Sequence, residues 1–342
     1  MKASMPQVVS NDALRSRLCT DILKGKLSHA YIIEGAAGTG KHLIAKNIAA
    51  ALSCLCKDSD GIPLPCLHCI NCRKIMNGIS PDVIFIKREE GKAQIGVESV
   101  RMIRSDVAIM PNDLDYKIYI IEEADKMTPQ AQNALLLTLE EPPEYVVFLL
   151  LCESAELLLE TVRSRAPILR TEPVKSAEMA EFLCSTESAA ARLRASSEKE
   201  FFELIAASGG SVGKALSYLD PEKRAELNAY RESVKTFVNT VLGSRSGESL
   251  TELTSSLPQK REELSELIGG VMLALRDILL LKRSEDAPLC FYSDREEALT
   301  VSELRSAGYI LKLYENCLSA DDALARNANV KLTASRLVSS GD

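Results

Sequence analysis

The stretch GAAGTGKH at residues 35–42 decides the fold of this chain. It begins with the pattern G-x-x-x-x-G-K, in which glycines allow backbone N–H groups to surround a phosphate. The apolar run His29–Glu34 before it predicts a buried strand, and Lys41–Leu52 after it predicts a helix whose N-terminus favours anions. A glycine-rich turn that contains a lysine by chance is the alternative, but the flanking strand and helix favour a nucleotide site.

Residue 42 departs from this pattern. After the lysine, such loops normally carry a Ser or Thr whose hydroxyl binds Mg²⁺, whereas this chain has His42. Imidazole is a poor ligand for a hard cation that prefers oxygen. We therefore predict a loop that can hold the phosphates of ATP or ADP but lacks one Mg²⁺ ligand. The predicted nucleotide-binding residues of the loop are Gly35, Gly38, Thr39, Gly40, Lys41 and His42.

Two acidic residues, Glu122 and Glu123, directly follow the strand candidate Tyr116–Ile121. In phosphoryl transfer, one such carboxylate holds Mg²⁺ and a second orients the attacking water. Glu122 is at the metal position and is one methylene longer than the usual Asp, and Glu123 is at the water-activating position. A solvated acidic turn is the alternative. Downstream of a phosphate loop, we favour a nucleotide site in which Glu123 has a weak or vestigial catalytic role.

The first half of the chain alternates strand and helix candidates, which predicts an α/β fold with a parallel sheet. Further strands are predicted at Val83–Lys87, Tyr145–Cys152 and Ala166–Leu169, and further helices at Asn11–Lys24, Glu98–Ile109 and Pro129–Leu139. From about Glu172 onward the pattern is helical, so the fold class is α/β followed by all-α. We place domain boundaries near residues 172 and 221, and a weakly specified loop at Gly243–Ser256.

Composition limits the possible functions. The 342 residues carry a net charge of −7, and a domain that grips nucleic acid over a broad surface is usually basic. Any DNA contact is therefore expected to be local or shared with partners. The longest apolar stretches are too short or too interrupted to span a bilayer, and the N-terminus lacks a signal-peptide pattern. A cytoplasmic location is expected.

Five of the ten cysteines lie between residues 54 and 72. Four thiolates close a tetrahedral structural zinc site, which can tie down a loop that has little core of its own. Cys66, Cys69 and Cys72 have suitable spacing, and the fourth ligand is either Cys54 or Cys56. An iron–sulfur cluster and unliganded thiols are the alternatives. The other cysteines are predicted to be buried thiols: Cys19, Cys152, Cys184, Cys290 and Cys317.

Taken together, these motifs resemble the bacterial clamp-loader AAA+ family, which comprises the gamma/tau and delta-prime subunits of DNA polymerase III. The segments that carry the resemblance are SHAY at 28–31, the loop at 35–41, ALSC at 51–54 with the three later cysteines, NALL at 133–136, LEEPP at 139–143 and TVRSR at 161–165. The resemblance implies a RecA-like AAA+ domain at 1–172 with a zinc module at 54–72. It further implies a helical lid at 173–220, a helical collar for oligomerisation at 221–342, and Cys54 as the first zinc ligand.

The resemblance also implies a role for Arg165, at the end of the TVRSR segment. In this family the equivalent arginine acts as a finger on the ATP of a neighbouring subunit, a role that suits a permanently charged guanidinium. An arginine in a surface ion pair is the alternative. The expected partners are gamma/tau and delta subunits in a hetero-pentamer, and the sliding clamp and primer–template DNA through that assembly.

Three departures distinguish this chain from the ATP-hydrolysing gamma/tau members. They are His42, the segment Cys152-Glu153-Ser154 where gamma/tau has a threonine pair, and Gly213 where it has an arginine. Each weakens control of the metal, water or terminal phosphate, so we expect a delta-prime type with little ATPase of its own and no polymerase chemistry. The alternatives are a gamma/tau-like motor ATPase and a freestanding zinc-dependent nucleic-acid binder.

Overall fold

The computed structural model describes residues 5–57, 62–89, 91–243, 257–287, 289–326 and 328–339. The chain forms two compact units: Met1–Phe182 with Gly210–Lys214, and Leu183–Gly209 with Ala215–Asp342. Apart from its first residue, the predicted loop Gly243–Ser256 lies outside the described residues. The division of the chain into three domains stays a prediction.

A five-stranded parallel sheet in the order β2-β3-β4-β1-β5 forms the centre of the first unit. Its strands are β1 (Ala30–Glu34), β2 (Val83–Ile86), β3 (Lys117–Ile121), β4 (Val146–Cys152) and β5 (Ile168–Arg170). Every residue of β3 and β4 is buried, as expected for parallel strands that helices cover on both faces. The predicted α/β fold is confirmed, and the strand ends differ from the predictions by one or two residues.

Helices α1 to α6 also belong to the first unit. They are α1 (Asp12–Leu23), α2 (Lys41–Leu52), α3 (Ile70–Met76), α4 (Val97–Asp106), α5 (Pro129–Glu140) and α6 (Glu160–Arg163). Pro129 is in the first turn of α5, where a missing N–H costs nothing, and Thr128 caps the helix by accepting from the Ala131 N–H at 3.2 Å. At α1 the capping side chain is engaged elsewhere: Asn11 Oδ1 accepts from the Glu172 N–H at 2.8 Å.

Alternate residues of the strands enter two separate cores. Ile33 of β1 and Leu149 of β4 pack on one face with α2, while Ile32 and Phe148 pack on the other face. This alternation holds the strands in fixed register, because a slip by one residue would exchange the two sets of side chains. The carboxyl ends of β1, β3 and β4 consequently lie side by side, which is where ligands bind in open parallel sheets.

The second half of the chain is helical among its described residues, as predicted. Helix α7 (Ser176–Thr186) contains the sequence division between the units, and the later helices are α8 (Ser188–Ser196), α9 (Glu198–Ala207), α10 (Val212–Ser217), α11 (Pro221–Gly243), α12 (Arg261–Leu281), α13 (Arg295–Glu303), α14 (Ala307–Ala325) and α15 (Val330–Ser339). In the second unit, apolar faces of α11, α12 and α14 form one core. Among the described helices, none combines the length and apolar character that crossing a bilayer requires.

Candidate functional site

The phosphate loop connects β1 to α2 in a tightly packed turn. Gly38 and Gly40 have φ angles of 76° and 85°, a region that side chains rarely adopt. A Cβ on Gly38 would come within 2.0 Å of the Ser211 hydroxyl, and one on Gly35 within 1.9 Å of the Thr171 hydroxyl. Glycine is therefore required at 35 and 38 by close neighbours, and at 38 and 40 by backbone geometry.

The side chain of Lys41 lies against the backbone of this turn. Its side-chain ammonium donates to the carbonyl oxygens of Gly35 at 2.6 Å and Ala36 at 2.8 Å, and burial lowers its pKa. Thr39 bonds through its hydroxyl to the Ala36 carbonyl and to Thr171, both at 2.9 Å. The first N–H groups of an α-helix have no partner within the helix, so those of α2 can bind an anion at its N-terminus. The loop therefore fits a nucleotide phosphate, with Lys41 already at the site.

Basic side chains engage both oxygens of the Glu122 carboxylate. His42 Nε2 lies 3.3 Å from one oxygen and Lys87 Nζ lies 3.4 Å from the other. The structure thus brings together two residues that sequence analysis assigned to the site, His42 and Glu122. Mg²⁺ fits this arrangement poorly, because the hydroxyl ligand is missing and both oxygens of the carboxylate already lie near basic side chains.

Glu123, in the predicted water-activating position, also forms an ion pair with a basic side chain. Arg88 donates to both of its carboxylate oxygens, from Nε at 3.1 Å and from Nη2 at 3.4 Å. Glu123 has a φ of 49°, an uncommon value for a residue with a side chain. With both oxygens bound to a guanidinium, the carboxylate has fewer positions left to accept a hydrogen bond from water. The geometry therefore opposes a role for Glu123 in activating water.

Sequence analysis missed Lys87 and Arg88. They directly follow β2, and Ile86 of β2 pairs with Ile121 of β3. The two basic residues after one strand consequently lie opposite the two acidic residues after its neighbour. The sequence does show two basic residues at the end of one predicted strand and two acidic residues after another. Their pairing could be predicted only if the two strands were known to be neighbours in the sheet.

The first residue of the segment Cys152-Glu153-Ser154, where gamma/tau members have a threonine pair, is a buried thiol. Cys152 ends β4, its carbonyl accepts from the Gly35 N–H at 3.1 Å, and its side chain is 1% exposed. Burial, aided by the nearby charges of Asp125 and Glu34, raises the pKa of Cys152 to about 12. A protonated thiol is only a weak hydrogen-bond donor, so Cys152 is poorly suited to contact a phosphate.

Arg165 follows α6 and is partly exposed. Its guanidinium bonds to the Glu140 carboxylate at 2.6 Å and to the Thr161 carbonyl at 2.8 Å. Glu140 belongs to the LEEPP segment and Thr161 to the TVRSR segment, so two of the motifs noted in the sequence meet here. The surface ion pair that was the alternative for Arg165 is therefore present, and its action on a neighbouring subunit stays a prediction.

The predicted cysteine ligands converge. The sulfur atoms of Cys54, Cys66, Cys69 and Cys72 all lie within 4.8 Å of one another, and those of Cys66 and Cys72 are 3.9 Å apart. Burial opposes ionisation of Cys66, but hydrogen bonds from the backbone of Cys69 and His68 outweigh it and lower its pKa to about 6. The four thiols could hold a metal ion, and an all-cysteine set suits zinc.

Cys56 is excluded from this group of four. It belongs instead to a second possible ligand set with Cys66 and His68. The geometry therefore favours Cys54 as the fourth ligand of the main cluster. The prediction that all remaining cysteines are buried holds for Cys19, Cys152 and Cys317, whereas Cys184 is only partly buried. It is wrong for Cys290, which is exposed and accepts a hydrogen bond from Arg276 at 2.7 Å.

The first strand of this parallel sheet leads through a phosphate loop into a helix, and carboxylates follow a nearby strand. This arrangement defines a P-loop protein of the RecA-like AAA+ class. Comparisons with known proteins narrow this class. The sequence model of a family described as "DNA polymerase III, delta subunit" matches residues 10–175.

Two curated proteins of Bacillus subtilis (strain 168) are similar to this chain. DNA polymerase III subunit tau is 38% identical over 158 residues, which cover 46% of this chain and 27% of tau. DNA polymerase III subunit delta' is 28% identical over 328 residues, which cover 94% of this chain and 93% of that subunit. A solved structure from Thermotoga maritima, a gamma subunit-related protein, is 18% identical, with a TM-score of 0.44 and coverage of 96% and 98% of the two chains.

The chain is thus a member of the clamp-loader AAA+ family of DNA polymerase III subunits. It matches about a quarter of the length of tau, and 43% of the gamma subunit of Buchnera aphidicola subsp. Schizaphis graminum at 33% identity. The delta' match extends along nearly the whole of both proteins.

Proposed function

We propose that this chain is the delta-prime-type subunit of a DNA polymerase III clamp loader and has little or no ATPase activity of its own. The observation that carries the proposal is the pairing of both carboxylates of the site with basic side chains, Glu122 with Lys87 and His42, and Glu123 with Arg88. Hydrolysis of ATP needs one carboxylate to hold Mg²⁺ and another to orient water. In this structure both carboxylates contact basic side chains, so binding Mg²⁺ or orienting water would require these contacts to be exchanged.

The extent of similarity supports the same choice. The delta' subunit matches this chain along 94% of its length, whereas tau and gamma match about half of it. On this proposal the subunit assembles with gamma/tau and delta subunits and helps to load the sliding clamp onto primed DNA in the cytoplasm. The domain at 173–220 acts as a helical lid, and the domain at 221–342 as a collar that joins the subunits.

Arg165 supplies the catalytic contribution in this proposal, by acting on the ATP of a neighbouring subunit. Its contact with Glu140 holds the guanidinium at the surface in a defined direction. Because that pair is partly exposed, a phosphate can replace the carboxylate at little cost. Guanidinium binds phosphate oxygens in the same forked geometry as it binds carboxylate.

The test is reconstitution of the loader with Arg165→Ala, and with Arg101→Ala as a matched control. Arg101 forms an exposed ion pair with Glu98 at 2.6 Å on α4, outside the segments of sequence that carry the resemblance. We expect Arg165→Ala to leave assembly intact and to lower turnover at the served ATP site by about 10³-fold, as removal of an arginine finger does. An unchanged rate contradicts the role of Arg165 in trans.

The higher identity to tau over the first half of the chain favours a second candidate, a gamma/tau-like motor subunit. Steady-state ATP turnover by the purified chain separates the two candidates. Brisk turnover that Lys41→Ala abolishes would establish the motor and overturn the delta-prime proposal.

The cofactors belong to the same proposal. Zinc is held by Cys54, Cys66, Cys69 and Cys72 and stabilises the module after α2. ATP or ADP binds at the loop formed by Gly35, Gly38, Thr39, Gly40 and Lys41.

A further inference from the structure

The carboxyl ends of β2 and β3 carry a matched set of charges. Two basic residues, Lys87 and Arg88, follow β2, and two acidic residues, Glu122 and Glu123, follow β3. The backbone fixes this pairing, because the Glu122 N–H donates to the Ile86 carbonyl at 2.9 Å. The opposed charges are therefore a consequence of strand register, and do not depend on flexible side chains meeting by chance.

Mg²⁺ can raise the affinity of a protein for a nucleotide in two ways: the protein adds ligands to the ion, or the ion offsets acidic residues at the site. In a metal-dependent phosphate loop, the added ligands are a hydroxyl after the lysine and a carboxylate at the end of a strand. Here His42 replaces the hydroxyl, and Glu122 has one oxygen near His42 and the other near Lys87. The remaining ligands for Mg²⁺ would be phosphate and water, which the ion already has in solution.

The charges at the site also reduce the need for Mg²⁺ in nucleotide binding. A carboxylate beside a phosphate normally repels it unless a cation lies between them. Lys87 and Arg88 neutralise Glu122 and Glu123 with cations that are part of the chain. Lys41 adds a further cation that bonds to the loop itself. Asp125 and Glu153 also lie near Lys41, but the two carboxylates at the end of β3 repel a metal-free nucleotide less than unpaired carboxylates would.

We propose that this loop binds nucleoside di- and triphosphates without Mg²⁺, and that Lys87 and Arg88 neutralise the carboxylates in place of the metal ion. The inference rests on the proposed function only in taking the loop to be a nucleotide site. It does not depend on Arg165 or on assembly with other subunits.

Calorimetric titration of the full-length protein with ADP and with ATP tests the proposal. One series contains excess Mg²⁺ and the other contains EDTA. We expect the dissociation constants of the two series to agree within about twofold. A large loss of affinity in EDTA overturns the proposal. Absence of binding in both series also overturns it, but leaves the role of Arg165 in the proposed function intact.

Variants test the role assigned to the two basic residues. The double variant Lys87→Ala/Arg88→Ala exposes both carboxylates, so we expect about tenfold weaker binding in EDTA, with the loss restored by Mg²⁺. Lys87→Arg retains the charge and should keep the metal-independent binding, as should the surface control Arg101→Ala. If the double variant is folded by circular dichroism and still binds equally well in both series, the two basic residues do not have this role. Loss of metal-independent binding in Lys87→Arg contradicts the proposal even if the double variant fails to fold.

Discussion

Exchange of Cys54 for serine, compared with the same exchange at Cys56, tests the metal centre. The sulfur of Cys54 lies within 4.8 Å of the sulfurs of Cys66, Cys69 and Cys72, whereas Cys56 is outside this group. We expect Cys54→Ser to weaken zinc binding strongly and Cys56→Ser to leave it unchanged. The two positions are two residues apart, so the pair of variants separates ligation from general disturbance of the segment.

The magnitude follows from the geometry. Zn–S bonds of about 2.3 Å in a tetrahedron place the sulfur atoms about 3.8 Å apart. The separation of 3.9 Å between Cys66 and Cys72 is close to this value, so little rearrangement is needed to bind the ion. A structural zinc site contributes about 10–16 kcal/mol, or roughly 3 kcal/mol for each of four ligands. Loss of one ligand should therefore weaken zinc binding by about 100-fold.

Zinc content after dialysis against a competing chelator measures the effect, with elemental analysis as the readout. Because zinc binds the folded protein, Cys54→Ser should also lower the melting temperature in the presence of zinc, whereas Cys56→Ser should not. Zinc loss in Cys56→Ser with full retention in Cys54→Ser would refute the ligand assignment. Full retention in both variants would refute Cys54 as a ligand.

Two further predictions test packing by chemical denaturation, one in each unit. Gly38→Ala should destabilise the protein more than Gly40→Ala: both have positive φ, which costs about 1–2 kcal/mol for a side chain, but only the new methyl at 38 meets Ser211. Equal losses would contradict the close approach of Ser211. Asp277→Ala in α12 should lower the free energy of unfolding by about 3–5 kcal/mol, because this fully buried carboxylate accepts backbone N–H groups of residues 290–292. A loss below about 1 kcal/mol would show that those groups find other partners.

The sequence predicted the α/β half well because its signals are local. A strand, a glycine loop and a helix follow one another between residues 29 and 52, and each has a distinct pattern of residues. The start of α5 at Pro129 and its end before Pro142 were predicted for the same reason. Asn11 precedes α1 at a position where an asparagine side chain commonly caps a helix. Its side chain bonds instead to the backbone of Glu172, far away in sequence, which a local pattern cannot indicate.

The cysteine cluster could also be predicted only in part from local sequence patterns. Spacing predicted Cys66, Cys69 and Cys72, because they lie on one short turn that enters α3. It could not choose between Cys54 and Cys56, since both precede a segment long enough to reach the cluster. The choice depends on the path of the backbone after α2. Cys290 was wrongly predicted to be buried, because residue type alone does not indicate which side of a loop faces solvent.

The acidic residues of the site show most clearly why part of the site could not be predicted from the sequence. Taken along the chain, Glu122 and Glu123 have the signature of a hydrolytic centre, and a single sequence gives no reason to reject it. The fold changes their meaning, because the register of β2 against β3 places Lys87 and Arg88 beside them. A carboxylate that already contacts basic side chains is less available to a metal ion or to water. The strand next to β3 thus decides which side chains Glu122 and Glu123 meet, and these contacts are the basis for proposing a site that binds nucleotide with little hydrolysis.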